Sequence, residues 1–408
     1  MTTTRRGSRP LPVALRIAVV YVVARAVTTI FLLIATVLAV PESRFGADPS
    51  LGSFIMGWDA WWYSVIAGYG YPTDLPRGED GLVTTNAWAF MPLYPVLSAL
   101  VGTPVGALAG APGGGFAVGA FLVSLVSGYL SALVLFHLLR TRLDDTTTTW
   151  AIVFYVSGPL AALFQIGYAE SLFLLWLFCA LWCVTRRRFG WLYLLVPLMG
   201  YTRPGVLAFS LFLALYGIWR WLRRRHDPLP AREVIHIVAL GLLAAAVGFS
   251  WQVIAGVVTG DMTAYLETEL SWRRGWTGES GGFVPFDGFV RAAGIWFPLW
   301  NLPEWLGYLS LAAGVAAVAA LLVFAEPVRR LGVEVRLWCA SYLIYLLAVF
   351  FPQSSLFRLL LPLAPLSGAL AAPRSTAWRV GVLVACLVGQ WWWIYNMFSL
   401  ANTYYQIP

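Results

Sequence analysis

Gly57-Trp58-Asp59-Ala60-Trp61-Trp62-Tyr63 follows the first long apolar segment of a 408-residue chain and sets a carboxylate among aromatic rings. The stretch belongs to a polar-leaning region, 41–115, bounded by oily segments. Two readings apply to an acid in such company: the rings floor a sugar site, or they anchor the chain at a bilayer surface. At helical spacing Trp58 and Trp62 share a face, with Asp59 on the neighbouring stripe.

Composition fixes the class within which that choice is made. Hydrophobic residues make up 60% of the chain, charged residues 11%, and the mean hydropathy is +0.74. Soluble domains carry about 25% charged residues, so the chain reads as an all-α polytopic membrane protein. All 27 basic residues are arginine. They fall in short clusters of the kind that orient membrane helices, not on one basic face that would track nucleic acid. The four cysteines, Cys179, Cys183, Cys339 and Cys386, sit in apolar segments without the paired spacing of a disulfide framework or zinc site. The apolar run from Val13 to Val40 is too long for a signal-peptide core and reads as a retained first helix.

The arginine clusters then give a topology. Arg5/Arg6/Arg9/Arg16, Arg140/Arg142, Arg186 to Arg188, Arg220/Arg223 to Arg225 and Arg329/Arg330/Arg336, with Arg374/Arg379 weaker, are expected to stay cytoplasmic. An even number of crossings must separate consecutive clusters. Three apolar segments, near 13–40, 88–105 and 116–140, precede Arg140, so one should not span. The segment 88–105 is short and interrupted by Pro92, Pro95 and Pro104, and reads as a helix at or dipping into the outer surface. The later pairs are 148–164 with 168–186, 189–203 with 204–222, 232–258 with 303–325, and 336–352 with 356–373, followed by 379–400. This predicts about eleven spans in a single domain over 1–408, with the N-terminus inside and two substantial outer loops, 41–115 and 259–302, carrying short interfacial helices. The second loop holds Asp261, Glu267, Glu269, Arg273, Arg274, Glu279, Asp287 and Arg291, with Gly278 to Gly282 at its centre. Arginine in an outer loop opposes the orientation bias, so Arg273 and Arg274 read either as phosphate ligands or as a solvated charge pair.

Ionisable residues at membrane depth are costly and ask for partners or a purpose. Arg25 lies mid-span and reads as structural. Glu170, Arg203 and Arg358 fall at breaks between paired segments near Pro159, Pro204, Pro352 and Pro362. Irregular backbone at that depth is tolerated where protein buries it or where it lines a wet cavity. Two readings stay open: a structural ion pair such as Glu170 with Arg203, or a cavity lined by all three. Trp391 to Trp393, Trp219 and Trp221 read as interface belt.

At this point the residues resemble a known family. Trp58-Asp59-Ala60 running to Ile66-Ala67-Gly68-Tyr69-Gly70-Tyr71, then Ala89-Phe90-Met91-Pro92-Leu93-Tyr94-Pro95, Ser157-Gly158-Pro159 through Tyr168-Ala169-Glu170-Ser171-Leu172-Phe173, and Thr202-Arg203-Pro204-Gly205 together resemble the PIG-V mannosyltransferases. Four ordered motifs span 58–205, about a third of the chain, with a weaker echo to Arg358. The resemblance implies a GT-C glycosyltransferase fold, a polyprenyl-phosphate-mannose donor, an extracytoplasmic lipid-linked or glycan acceptor, and inversion at the sugar. It places Asp59 in the family's acidic position. Such a displacement needs a base for the acceptor proton, a role open to Asp59. It also needs cations on the leaving phosphate, a role open to Arg203, Arg358, Arg273 or Arg274. Further expected site residues are Trp58, Trp62, Tyr63, Asn86, Tyr94, Gln165, Tyr168 and Glu170. No cofactor or metal is required by this chemistry. An all-arginine basic set and abundant alanine, glycine and valine fit a GC-rich genome and hence a bacterial plasma membrane. The rival readings are arabinosyl or glucosyl transfer, protein O-mannosylation, and a lipid or solute transporter.

Overall fold

The computed structural model describes residues 11–108, 115–278 and 281–401. Arg5, Arg6, Arg9 and Glu279 lie outside the described residues. Within them the chain is helical, and one isolated bridge, Arg77 to Val83, is the only extended pairing.

The order is α1 Val13–Val37, α2 Leu51–Ile55, α3 Asp59–Tyr69, α4 Leu93–Leu108, α5 Phe116–Leu139, α6 Asp145–Val156, α7 Glu170–Thr185, α8 Leu192–Gly200 and α9 Val206–Leu222. It continues with α10 Ala231–Thr259, α11 Ala264–Thr277, α12 Asp287–Leu299, α13 Glu304–Phe324, α14 Glu326–Arg329, α15 Val333–Val349, α16 Leu356–Leu359, α17 Ser367–Leu370 and α18 Thr376–Ile394, which runs on as a π-helical segment, Tyr395–Leu400.

Among the described residues five helices are long and apolar enough to cross a membrane alone: α1, α5, α10, α13, and α18 with its continuation. The chain is therefore a multi-pass membrane protein. The expectation of about eleven spans also includes several shorter elements, which the structure breaks up. Segment 148–164 appears as the 12-residue α6, 189–203 as the nine-residue α8, and 356–373 as two four-residue helices around a 3-10 stretch. At 1.5 Å per residue α6 covers only about 18 Å. Hydropathy misses such breaks because the irregular chain between the short helices is itself apolar. Helix α4, also too short to cross alone, packs antiparallel along the first half of α5. There Gly102 and Gly119 let the backbones touch, and a Cβ on either would collide with the opposing main chain.

Irregular backbone in an oily setting needs hydrogen-bond partners. Arg25, buried in α1, supplies them for the break after α6. It donates to the Val156 carbonyl at 2.5 Å, to the Ala161 carbonyl, and to Gln165 Oε1 at 3.3 Å. Its guanidinium lies between the Tyr21 and Phe164 rings.

Ion pairs gather the arginine clusters at one end of the helices. Arg16 meets Asp145 at 2.6 Å, Arg140 reaches the same carboxylate at 3.6 Å, and Arg142 reaches Glu334 at 3.6 Å. Arg187 and Arg220 share Asp227 and Glu233. Helices α6 and α15 start at this end and α7 and α9 finish there, so Glu170, Arg203 and the chain beyond Val349 lie at the other. The largest core cluster fills the space between, around Phe178, Phe209, Phe212 and the fully buried Trp338, whose indole donates to the Pro362 carbonyl at 2.9 Å.

Candidate active site

Asp59 owes its position to the strained residue before it. Trp58 adopts φ +56°, a region few non-glycine residues enter, and its indole Nε1 donates to the Met397 carbonyl at 3.1 Å. This turn starts α3 at Asp59, so the carboxylate occupies the positive end of a helix dipole. The break carrying Tyr168 and Glu170 packs directly on that turn. Gly167 N donates to the Ile55 carbonyl at 3.0 Å, and a Cβ on Gly167 would stand 2.7 Å from the Ala60 Cβ. Glu170 is in turn the first residue of α7. Arg203 sits in the turn completed by Gly205 at φ +134°, and Leu93 N donates to the Tyr201 carbonyl at 2.9 Å. That bond joins the second motif to the residue just before the fourth. Arg358 comes from α16, almost 300 residues after Asp59.

These four charges form one cluster. Arg358 NH1 donates to Asp59 Oδ2, and its Nε lies 3.4 Å from Glu170 Oε1. Arg203 NH1 donates to the same Glu170 oxygen at 2.5 Å. Glu170 is sealed, at 2% exposure, whereas the Asp59 side chain is 24% exposed. One carboxylate therefore holds both arginines from a buried position, and the other is partly exposed. Each arginine spends NH1 on an acid and keeps NH2 without a partner among the described residues. Tyr168 lies under the Arg358 guanidinium at 5.2 Å, its hydroxyl buried without a hydrogen-bond partner. Tyr63, buried against Phe90 and Tyr94, sits close enough to both carboxylates to feel their charge.

Other expected site residues lie elsewhere. Trp58 is packed against Phe45 under Arg44 and serves the turn, not an open wall. Asn86 caps the 3-10 turn at Ala87–Ala89 and donates to Thr268 Oγ1 at 2.9 Å, joining the two outer loops. Tyr94 donates to the Ala120 carbonyl inside the α4–α5 contact, and Gln165 is held between Arg25 and Thr29. Arg273 donates to the Gly282 carbonyl at 2.9 Å, and Arg274 to the Val83 carbonyl beside a crevice lined by Asp80 and Thr84. The Arg274 bond ties the two outer loops together, whereas the Arg273 bond stays within the second. Trp62 stacks on Phe90 and meets Trp272 of α11 edge-on at 5.9 Å.

That last contact leads to residues of α11 that the sequence did not assign to the site. In α11 the Trp272 indole N–H is buried without a hydrogen-bond partner beside Trp62, and Glu269 shares Tyr345 with Arg203 as a charged neighbour. Burial pushes the Glu269 carboxyl up to about 7, with the nearby Tyr265 acting in the opposite direction. The available signal was the spacing of Tyr265, Glu269 and Arg273, one turn apart on a loop helix. Because the folded-state value is raised, the stability linked to this proton is complete below the unfolded range near 4.5 and is lost as pH rises to about 7. Wild-type thermal stability in detergent should therefore decline between pH 5 and 8 more steeply than that of Glu269→Gln. Parallel profiles would remove Glu269 from this account.

Among the described residues no group of three His, Cys, Asp or Glu side chains gathers as a metal site would require.

Comparison with known proteins gives no family match and no match among curated proteins. Among solved structures the chain is similar to the Archaeoglobus fulgidus oligosaccharyltransferase in complex with zinc and sulfate, with TM-score 0.44 and 13% identity over 92% of this chain and 53% of that one. It is also similar to the oligosaccharyltransferase AglB of the same organism, in complex with an inhibitory peptide and a dolichol-phosphate, with TM-score 0.41 and 12% identity over 92% and 55%. The chain spans about half the length of these structures.

Proposed function

We propose that this chain is a GT-C-type mannosyltransferase of the bacterial plasma membrane. It moves mannose from polyprenyl-phosphate-mannose to an extracytoplasmic lipid-linked or glycan acceptor, with inversion and without a cofactor or metal. The observation that carries this reading is the shared Arg358: its guanidinium holds the accessible Asp59 on one side and the sealed Glu170 on the other, with donors left over. The mannosyl identity rests on the four motifs alone.

On this reading the reaction runs as follows. A donor phosphate docks on the free NH2 groups of Arg203 and Arg358 and competes with Asp59 for Arg358. The carboxylate so released takes the acceptor hydroxyl proton. The acceptor oxygen bonds to the anomeric carbon, while the bond from that carbon to the phosphate oxygen breaks with its electron pair on the phosphate, where the two arginines stabilise it. Glu170 keeps both arginines in place throughout. Tyr63 and Tyr168 border the sugar, and the α11 face with Glu269 and Trp272 borders the acceptor.

The test is incubation of membranes containing the protein with radiolabelled polyprenyl-phosphate-mannose, followed by identification of the product. Label in a new glycosidic linkage supports the proposal. Label found only in intact donor on the opposite leaflet would identify a transporter, and transfer from another sugar-lipid alone would change the donor.

A further inference from the structure

At the other end of the molecule, α9 and α10 enclose an apolar groove of about 500 Å³. Ala214, Gly217 and Trp221 line it from α9, and Val234, Val238 and Gly241 from α10. Ser210 Oγ donates to the Gly241 carbonyl at 2.8 Å and clamps the helices beside it. The exposed Ile218 and Leu242 mark a side open to lipid. Its volume lies in the range of roughly 300–1,000 Å³ typical of small-molecule sites.

The mouth of this groove is cationic. Arg224 lies over the Trp221 ring at 4.1 Å, Arg223 over Trp219 at 5.4 Å, and Arg225 and Arg232 are exposed close by. The local acids, Asp227 and Glu233, are already engaged by Arg187 and Arg220. Among the described residues no carboxylate pairs with Arg223, Arg224, Arg225 or Arg232. An apolar slot ending in uncompensated guanidinium groups complements an amphiphile with a hydrocarbon chain and an anionic head.

We propose that this groove binds an anionic glycerophospholipid, with one acyl chain along α9 and α10 and the phosphate among Arg223, Arg224, Arg225 and Arg232. A zwitterionic lipid brings its own cation to the same place and gains less. The glycosyl donor is not the occupant, because α9 runs roughly 25 Å between this mouth and the Arg203 turn.

The experiment uses the purified protein in vesicles of phosphatidylcholine with a minor fraction of phosphatidylglycerol, and reads motional restriction of spin-labelled forms of each lipid. Wild type should prefer phosphatidylglycerol. Arg223→Gln, Arg224→Gln, Arg225→Gln and Arg232→Gln should each lower that preference about fivefold, the factor equivalent to ~1 kcal/mol per basic group near an anionic surface. Ala214→Phe, at an exposed position on the groove wall, should displace the bound lipid while leaving every arginine in place. Equal restriction of both lipids in wild type would overturn the proposal. So would full selectivity in Ala214→Phe, since that result would reduce the effect to surface charge.

Discussion

Asp59→Asn is expected to yield a folded protein whose transfer rate falls by about 10²–10⁴-fold, the usual contribution of a positioned base. The substitution keeps the shape of the side chain and an oxygen for Arg358, so the turn fixed by Trp58 should persist. What disappears is the atom that accepts the acceptor proton. Donor affinity should hold or improve, because Arg358 would no longer be divided between a phosphate and a competing anion. The diagnostic pattern is thus a collapsed kcat with an unchanged or lowered KM for the sugar-lipid. Near-normal kcat in reconstituted membranes would remove Asp59 from the reaction. A raised KM with intact kcat would recast it as a binding residue.

The second large effect is expected at Glu170. This carboxylate is 2% exposed and contacts both Arg203 and Arg358. Glu170→Gln would leave two guanidinium groups facing one remaining carboxylate. Breaking a buried pair by removing one partner costs about 3–5 kcal/mol, mostly from the charge left behind. Unfolding in detergent should register a loss of that order. The double variant Glu170→Gln/Arg203→Gln should recover a substantial part of it, since both partners are then neutral. Additive losses would show that the two side chains are not energetically coupled. Loss of activity alone would assign Glu170 to positioning rather than stability.

How much of this was legible in the sequence depended on separation along the chain. The Glu170–Arg203 pair could be weighed in advance because both residues fall at neighbouring breaks, 33 positions apart. The clustering of arginines at one end followed from orientation bias, and the ion pairs among Arg16, Arg140 and Asp145 agree with it. The partner chosen by Asp59 could not be read, because no spacing rule links it to Arg358 from a helix of four residues. Residue type alone also misdirected. Asn86, Tyr94 and Gln165 are polar enough to serve a sugar, yet buried main-chain and side-chain groups claim them first. Trp58 looked like a wall, whereas its indole N–H found a carbonyl near the far end of the chain. Glu269 stood only as one charge among several in the second loop, because its significance comes from burial in the fold.

The bond between Asp59 and Arg358 also sets a clock on biogenesis. Their positions differ by 299 residues, and at ~5–20 residues per second the ribosome needs roughly 15–60 s to make that stretch. Arg203 arrives early enough to neutralise Glu170, but Asp59 must wait for its cation until most helices have been inserted. The Trp58 anchor on Met397 comes later still. A chain made only as far as α9 therefore holds Asp59 but neither its Arg358 partner nor the Met397 carbonyl that anchors Trp58, so the charge cluster is still incomplete at that stage.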